Sequence, residues 1–308
     1  MIPPLRLLVK IAVYIVLLSG ICFLFQMLIA PKVRDNNAFV GATIDKENRL
    51  FKLKSPRLIF VGGSNLALGL DSKKVSDSLH LNVANMGVHA GLGLTFLLNE
   101  TKAFIKKGDV IVLSIEYGLT LVGEKKLLLQ LIDLNPSASQ YLNETLNDKL
   151  TLVDINWQRC LRSLFAKPNE TVYKRDGFSK EGDMIAHLNL AQANHLVGMD
   201  ALVFRNYTDE INAINQFISF AVNKEAKVYF TFPSYTESQY KRNKSVIEKY
   251  QTQYKTELNC PIINTPQTFI FPDSNFYDSG YHLDKNGREK RTQIMISLLK
   301  KGNCFDLY

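Results

Sequence analysis

Short apolar runs alternate with amphipathic stretches along most of the chain after residue 57. Five runs have the length of buried strands; they lie at residues 58–61, 81–84, 110–115, 228–232 and 261–264. Five helix-like stretches lie at residues 72–79, 94–106, 208–224, 237–258 and 286–300, and the apolar residues of 208–224 fall at helical spacing. Runs that are apolar throughout are typical of parallel strands buried on both faces. The alternation therefore predicts an α/β domain with about five parallel strands and three layers, α/β/α.

One connection interrupts this alternation. The chain uses residues 117–227 to pass from the third predicted strand to the fourth, which is far longer than a usual crossover. We predict an insertion at about 119–226 that lies beside the carboxyl ends of the strands, as a lid or an acceptor platform. No linker composition brackets it, which disfavours a separate domain.

The amino-terminal region has the pattern of a membrane anchor. Residues 11–30 carry no charge and as a helix would span about 30 Å, the thickness of a bilayer core. The run is long for a signal peptide and no Ala-x-Ala site precedes Pro31, which favours a retained anchor over a cleaved signal. We predict an anchor at residues 1–30, a polar linker at 31–56 and one folded domain at 57–308.

Charge and composition narrow the choice of partners. Basic residues flank the apolar segment on both sides, so its orientation in a membrane is only weakly indicated. We expect a single-pass protein with its domain outside the cytoplasm. That domain would face the periplasm from a bacterial inner membrane or lie at the cell surface. The net charge of +8 is spread along the chain without a basic block, so nucleic acid is not indicated. The four cysteines have no CxxC spacing, and we expect no metal and no cofactor.

A serine, a histidine and an aspartate stand where nucleophilic catalysis would need them. Ser64 directly follows the first predicted strand and Gly62-Gly63, a sequence that allows a sharp turn. His282 follows the last predicted strand, with Asp278 four residues earlier to orient it. A solvated loop histidine is the alternative, but loops at the carboxyl ends of parallel strands meet in one crevice. The positions therefore predict a Ser64–His282–Asp278 triad.

A third motif follows the second predicted strand. Asn85, Gly87 and His89 lie there, and the amide of Gly87 could stabilise an oxyanion. Asn85 is a further candidate for substrate binding, and His89 either lines the pocket or is a structural histidine. The spacing Gly-x-Gly-x-x-Gly is absent, which disfavours a nucleotide site.

The order of these motifs resembles the SGNH/GDSL hydrolase superfamily, over residues 57–302. The resemblance rests on Gly63-Ser64, Asn85-x-Gly87 and the pair Asp278 and His282. It implies a flavodoxin-like fold in which Ser64 is the nucleophile, Gly87 an oxyanion donor, and Asp278 and His282 the rest of the triad.

The chain departs from that pattern at three places. Gly-Gly-Ser replaces Gly-Asp-Ser, one extra residue separates Asp278 from His282, and Glu116 stands in the region where the family has Gly-x-Asn-Asp. Loss of that asparagine removes an oxyanion donor, which is typically worth about a hundredfold in rate. Either Asn65 or the insertion could supply a replacement.

With its anchor, the chain is similar to the divergent branch that accompanies membrane-bound O-acyltransferases, such as the D-alanine-transfer and alginate-acetylation proteins. This resemblance implies transfer of an acyl group, such as acetyl, or hydrolysis of an ester, on an extracytoplasmic envelope polysaccharide or other hydroxyl acceptor. The reaction would pass through an acyl-serine, with a membrane-bound O-acyltransferase as possible partner. The alternative is a non-catalytic SGNH-like scaffold that binds glycan or the membrane acyltransferase.

Overall fold

The computed structural model describes residues 3–142, 145–165 and 171–302, which divide into two units. One unit lies within Met1–Asn36 and Asn143–Glu170, and the other within Asn37–Leu142 and Thr171–Tyr308. The helices of the described residues, in chain order, are α1 (Pro3–Leu24), α2 (Ala30–Val33), α3 (Ala42–Lys52), α4 (Ser64–Ala67), α5 (Ser72–Leu79), α6 (Leu94–Lys102), α7 (Lys125–Leu134), α8 (Leu146–Ser163), α9 (Thr208–Asn223), α10 (Glu237–Glu257) and α11 (Lys285–Lys301). The strands are β1 (Arg57–Gly62), β2 (Asn82–Asn85), β3 (Val110–Ser114), β4 (Lys227–Phe230), β5 (Tyr235–Thr236) and β6 (Ile270–Phe271).

The first unit contains the predicted apolar helix. A π-helical segment, Phe25–Ile29, joins α1 to α2, and the stretch Pro4–Val33 is long and apolar enough to cross a membrane, with a mean hydropathy of 2.5. The presence of this helix is confirmed, whereas its insertion in a membrane stays a prediction. Helix α8, from the middle of the chain, belongs to the same unit.

The second unit is built on a parallel sheet of four strands in the order β2-β1-β3-β4. In register, Leu58 of β1 lies between Val83 of β2 and Val110 of β3. The α/β class and the parallel sheet are therefore confirmed. The fifth predicted strand, at 261–264, is reduced to one parallel bridge between Phe230 and Ile262. Strands β5 and β6 form a separate two-stranded sheet.

Both faces of the four-stranded sheet are buried. Successive side chains of a strand point to opposite faces. Leu58 and Phe60 accordingly share one apolar cluster with residues of α5 and α11, and Ile59 and Val61 share another with residues of α6, α9 and α10. The continuous apolar runs in the sequence reflect this double burial.

The predicted polar linker at 31–56 contains a packed helix instead. Helix α3 buries Thr43, Lys46 and Leu50, and Leu50 belongs to the apolar core. The sequence concealed this helix because polar and charged residues fill most of it, and one of its buried side chains is a lysine. Lys46 Nζ donates to Asn85 O at 2.8 Å, which ties α3 to the end of β2.

The insertion predicted at about 119–226 contributes to both units. Helix α7 and residues 171–226 belong to the unit with the sheet, whereas α8 belongs to the unit with the apolar helix. This part of the chain is therefore not a single appended body.

A buried ion pair lies where β1 and β3 begin. Arg57 Nε donates to Asp109 Oδ1 at 3.0 Å, and neither side chain is exposed. Asp109 also accepts from Ser55 Oγ at 2.8 Å and from Lys106 N–H at 2.8 Å. The guanidinium donates further to the carbonyl oxygens of Leu50 and Phe104. The pair thus joins α3, β1 and the turn before β3.

Candidate functional site

The candidate nucleophile stands in a tight turn at the end of β1. Ser64 is partly exposed and begins α4, directly after Gly62 and Gly63. A Cβ atom on Gly62 would lie 2.1 Å from Ser114 O, and one on Gly63 would lie 2.4 Å from Glu116 Oε1. Backbone therefore closes the position of Gly62 to any side chain, whereas a side chain at position 63 would have to displace the carboxylate of Glu116.

The histidine and the aspartate share one short loop after β6. An antiparallel bridge between Phe276 and Leu283 closes the loop, and Tyr277 N–H donates to His282 O at 2.7 Å. This closure brings Asp278 and His282 side by side despite the extra residue between them.

The structure brings the three predicted triad residues into hydrogen-bond contact. The Ser64 Oγ to His282 Nε2 distance is 2.8 Å, and the His282 Nδ1 to Asp278 Oδ1 distance is 2.7 Å. With the serine hydroxyl as donor, Nε2 is the acceptor and Nδ1 carries the proton toward Asp278. This is the tautomer that allows His282 to take the proton of Ser64.

Asp278 is held in its charged form. Burial acts to raise the pKa of its carboxyl group, but hydrogen bonds from His282 and Tyr173 and the charge of His282 outweigh that effect. The net pKa lies below its ordinary value. A carboxylate beside Nδ1 stabilises the imidazolium that forms when the histidine takes a proton.

Tyr173 reaches this pair from the insertion and was not predicted. Its hydroxyl donates to Asp278 Oδ2 and lies 3.0 Å from His282 Nδ1. Two contacts hold its segment in place: Arg175 forms a two-point ion pair with Asp45 of α3, at 2.6 and 2.7 Å, and the Tyr173 ring packs on Phe39. No local signal predicts a contact between residues 105 positions apart.

The carboxylate of Glu116 accepts hydrogen bonds from the backbone amides on both sides of Ser64. Its Oε2 accepts from Gly63 N–H at 3.2 Å and its Oε1 from Asn65 N–H at 2.9 Å, in a buried position after β3. The amides of Leu66 and Ala67 donate to Gly63 O. Among the described residues of this turn, the N–H of Ser64 is left to serve as an oxyanion donor.

Gly87 and Asn85 are engaged with each other rather than with the serine. Gly87 N–H donates to Asn85 Oδ1 at 2.9 Å, and Asn85 Nδ2 donates to Leu66 O at 2.9 Å and to Asp183 Oδ1 at 2.8 Å. A Cβ on Gly87 would lie 2.8 Å from Gly63 O. The two residues therefore support the turn that carries Ser64, and in this structure the predicted oxyanion donor is already occupied.

Asn65 is not placed where a substrate could reach it. Its side chain is fully buried; Nδ2 donates to Ser114 O at 3.0 Å, and Oδ1 accepts from Arg291 Nη2 at 2.9 Å. Arg291, from α11, also donates to Asn65 O and to Ser234 Oγ. Burial lowers the pKa of Arg291, and the charge of Glu116 acts against that effect. Asn65 thus links the turn to a buried arginine, a contact across more than half the chain that the sequence could not reveal.

His89 stands at the edge of the site. Its Nδ1 accepts from Gly91 N–H at 2.9 Å, so the neutral ring carries its proton on Nε2. Burial lowers its pKa; the charge of Glu124 opposes this, that of His282 adds to it, and that of Glu116 opposes it. The ring is therefore neutral near pH 7, with one N–H to offer.

Within the described ranges, no group of three or more His, Cys, Asp or Glu side chains is arranged to hold a metal ion. No protein-family model and no curated protein matches this sequence.

Proposed function

We propose that this protein is a membrane-anchored serine acyltransferase or esterase with a three-layer, flavodoxin-like SGNH domain. The observation that carries the proposal is the continuous hydrogen-bond line from Ser64 Oγ through His282 to Asp278. Three residues from two distant parts of the sequence meet here in the order that serine catalysis requires, and their contacts allow the tautomer of His282 that it needs.

The first half of the reaction forms an acyl-serine. Ser64 Oγ attacks the carbonyl carbon of an ester while His282 Nε2 takes the hydroxyl proton. The tetrahedral intermediate collapses, the bond to the leaving oxygen breaks, and His282 returns the proton to that oxygen. Asp278 stays ionised throughout and keeps the imidazole oriented.

The second half transfers the acyl group to an acceptor. His282 takes a proton from a sugar hydroxyl or from water, whose oxygen attacks the acyl-serine, and Ser64 leaves with the proton that His282 holds. A sugar hydroxyl gives transfer and water gives hydrolysis. The Ser64 N–H would stabilise the oxyanion in both halves.

The apolar helix and the charge agree with an envelope polysaccharide as the acceptor. Anchoring would keep the domain, outside the cytoplasm, near a membrane-bound acyl donor or a membrane-bound O-acyltransferase. The net charge of +8 favours an anionic polymer.

A non-catalytic scaffold is the second candidate, and Glu116 is the observation that favours it. Its carboxylate occupies the two amides next to Ser64, in the region where the family has an oxyanion-donating asparagine. A scaffold would retain the fold and bind glycan or a membrane acyltransferase without turning over an ester.

Covalent labelling separates the two candidates. We expect the purified full chain in detergent to gain one fluorophosphonate adduct on Ser64, seen by intact mass and peptide mapping. The His282→Ala variant should not label, because the serine loses its base, and Ser238→Ala, at an exposed serine of α10, should label normally. A wild-type chain that forms no adduct between pH 6 and 9, with its fold intact, would favour the scaffold (the range brackets the titration of an ordinary histidine).

Tyr173→Phe tests the tyrosine as a positioning residue. The variant keeps the ring but loses the hydroxyl that bonds Asp278 and His282, and hydrogen bonds to charged groups are worth about 1.5–3 kcal/mol. We expect kcat for a model ester to fall about tenfold or more, by the same principle, with KM little changed. The loss also raises the pKa of Asp278, so the acid side of the rate–pH profile should move to higher pH.

The matched control is Tyr240→Phe, which removes a hydroxyl bonded to Gln267. An unchanged kcat and pH profile in Tyr173→Phe, equal to those of the control, would show that Tyr173 only stabilises the fold.

A further inference from the structure

We propose that helix α8 lies on the surface of a lipid bilayer with its exposed apolar face in contact with the acyl chains. The proposal rests on the proposed membrane anchor and extends it to a second contact with the membrane. The apolar face is defined by residues at spacings of three and four along the helix: Leu146, Leu150, Val153, Trp157, Leu161 and Leu164.

These residues form one stripe because positions three or four apart lie on the same side of a helix. The stripe is largely uncovered: Leu146 is 74% exposed, Leu150 62% and Leu164 74%. Phe165, directly after the stripe, is exposed as well. An exposed apolar surface that continues along a helix in this way indicates a binding surface.

One flank of the stripe is polar. Asp154, Gln158 and Arg162 lie along it at spacings of four and are all exposed. A stripe of leucines and a tryptophan bordered by charged and amide side chains is found on helices that lie in the plane of a membrane interface.

Two contacts fix α8 to the apolar helix of its own unit. Trp157 stacks on Phe25 with 3.7 Å between ring centroids, and Asn156 Nδ2 donates to Gln26 Oε1 at 2.7 Å. Cys160 packs in the same small cluster as Ala30. Helix α8 therefore attaches to the carboxyl-terminal part of the candidate span.

If the apolar helix inserts, the point at which α8 attaches to it lies at the edge of the bilayer core. The stretch Pro4–Val33 is about 45 Å long as a helix, which exceeds a hydrocarbon core of about 30 Å, so its ends reach the interface. The uncharged residues 11–30 would fill the core, which places Phe25–Ile29 at its boundary. Exposed Met27 and Leu28 lie in the same segment, so lipid around them would also meet α8. Lipid is accordingly the occupant that the position of the stripe favours, and tryptophan is enriched at this depth.

The chain offers a direct depth measurement because Trp157 is its only tryptophan. In a Trp157→Phe background, Leu150→Trp places a single fluorophore on the apolar face. Gln158→Trp, on the polar flank of the stripe, is the matched control. Each full-length variant is reconstituted in phosphatidylcholine–phosphatidylglycerol vesicles, with and without lipids brominated on the acyl chains.

We expect the emission of Leu150→Trp to shift to the blue and to be quenched by the brominated lipids. The emission of Gln158→Trp should stay red-shifted and be quenched by aqueous iodide instead. Leu161→Trp should behave as Leu150→Trp does, which guards against a local effect of one substitution. Water-like emission from both face variants in floated vesicles would overturn the proposal.

Vesicle flotation distinguishes a failure of the α8 contact from a failure of the proposed membrane anchor. A chain that does not float with the vesicles lacks a working anchor, and the proposal for α8 is then wrong with it. A chain that floats while the face variants remain in water keeps its anchor and loses only the α8 contact. Emission that turns blue only as protein concentration rises would assign the face to a second copy and would also overturn the lipid contact. The fluorophosphonate adduct on Ser64 is independent of all these outcomes.

Discussion

Ser64→Ala is expected to reduce the turnover of a model ester to background. The substitution removes the nucleophile and leaves the turn intact, since Gly62, Gly63 and the bonds of Glu116 to the backbone remain. Loss of one triad member typically costs about a thousandfold or more in kcat. Hydrolysis of p-nitrophenyl acetate by the purified full chain measures the effect, with circular dichroism to verify the fold.

The triad also predicts how substitutions combine. His282→Ala should lower kcat about as far as Ser64→Ala, and the double variant should be no slower than either, because the two groups act as one unit. Ser238→Ala, at an exposed serine away from the triad, should retain full activity. A Ser64→Ala variant with wild-type turnover would contradict the acyl-serine mechanism.

Asp109→Ala is expected to cause the largest loss of stability. The substitution leaves the guanidinium of Arg57 buried without its carboxylate, and removing one partner of a buried ion pair costs about 3–5 kcal/mol. The acceptor for Ser55 Oγ and Lys106 N–H disappears as well. The midpoint of thermal unfolding of the full chain in detergent should fall by several degrees or more.

Two further variants test the cause. Asp77→Ala breaks an exposed ion pair with Lys73 and should cost less than about 1 kcal/mol. Replacing both buried partners, Arg57→Met with Asp109→Leu, should restore part of the lost stability, because no uncompensated charge remains. An Asp109→Ala variant as stable as Asp77→Ala would show that the buried pair contributes little.

The regular elements were largely predictable because their signals are local. Helix α5 has the predicted bounds, and α9 and α10 each end one residue before the predicted position. The central strands β1 and β3 were evident from their apolar runs, since both of their faces are buried. Helix α3 was missed because its buried face is narrow and includes Lys46.

The site was predictable only where one short segment carries the signal. Gly62-Gly63-Ser64 forms a tight turn, and Asp278 and His282 share a loop, so each signal is local. Their contact followed from the rule that loops at the carboxyl ends of parallel strands converge.

The contacts that support the site could not be read from the sequence. Tyr173 and Arg291 reach the site from segments far away in the chain, and nothing near them indicates the destination. The hydrogen-bond partners of Asn65 and Gly87 could not be read either, since a residue type does not show which neighbour takes its hydrogen bonds.

The position of Arg291 late in the sequence determines when the contacts around Ser64 are completed during synthesis. The carbonyl and side chain of Asn65, next to the serine, are both held by this arginine, and His282 precedes it by only a few residues. A nascent chain that has emerged only as far as β4 therefore lacks both the proposed base of Ser64 and the arginine that supports its turn. The contacts of Ser64 would thus be completed only when nearly the whole polypeptide has been made.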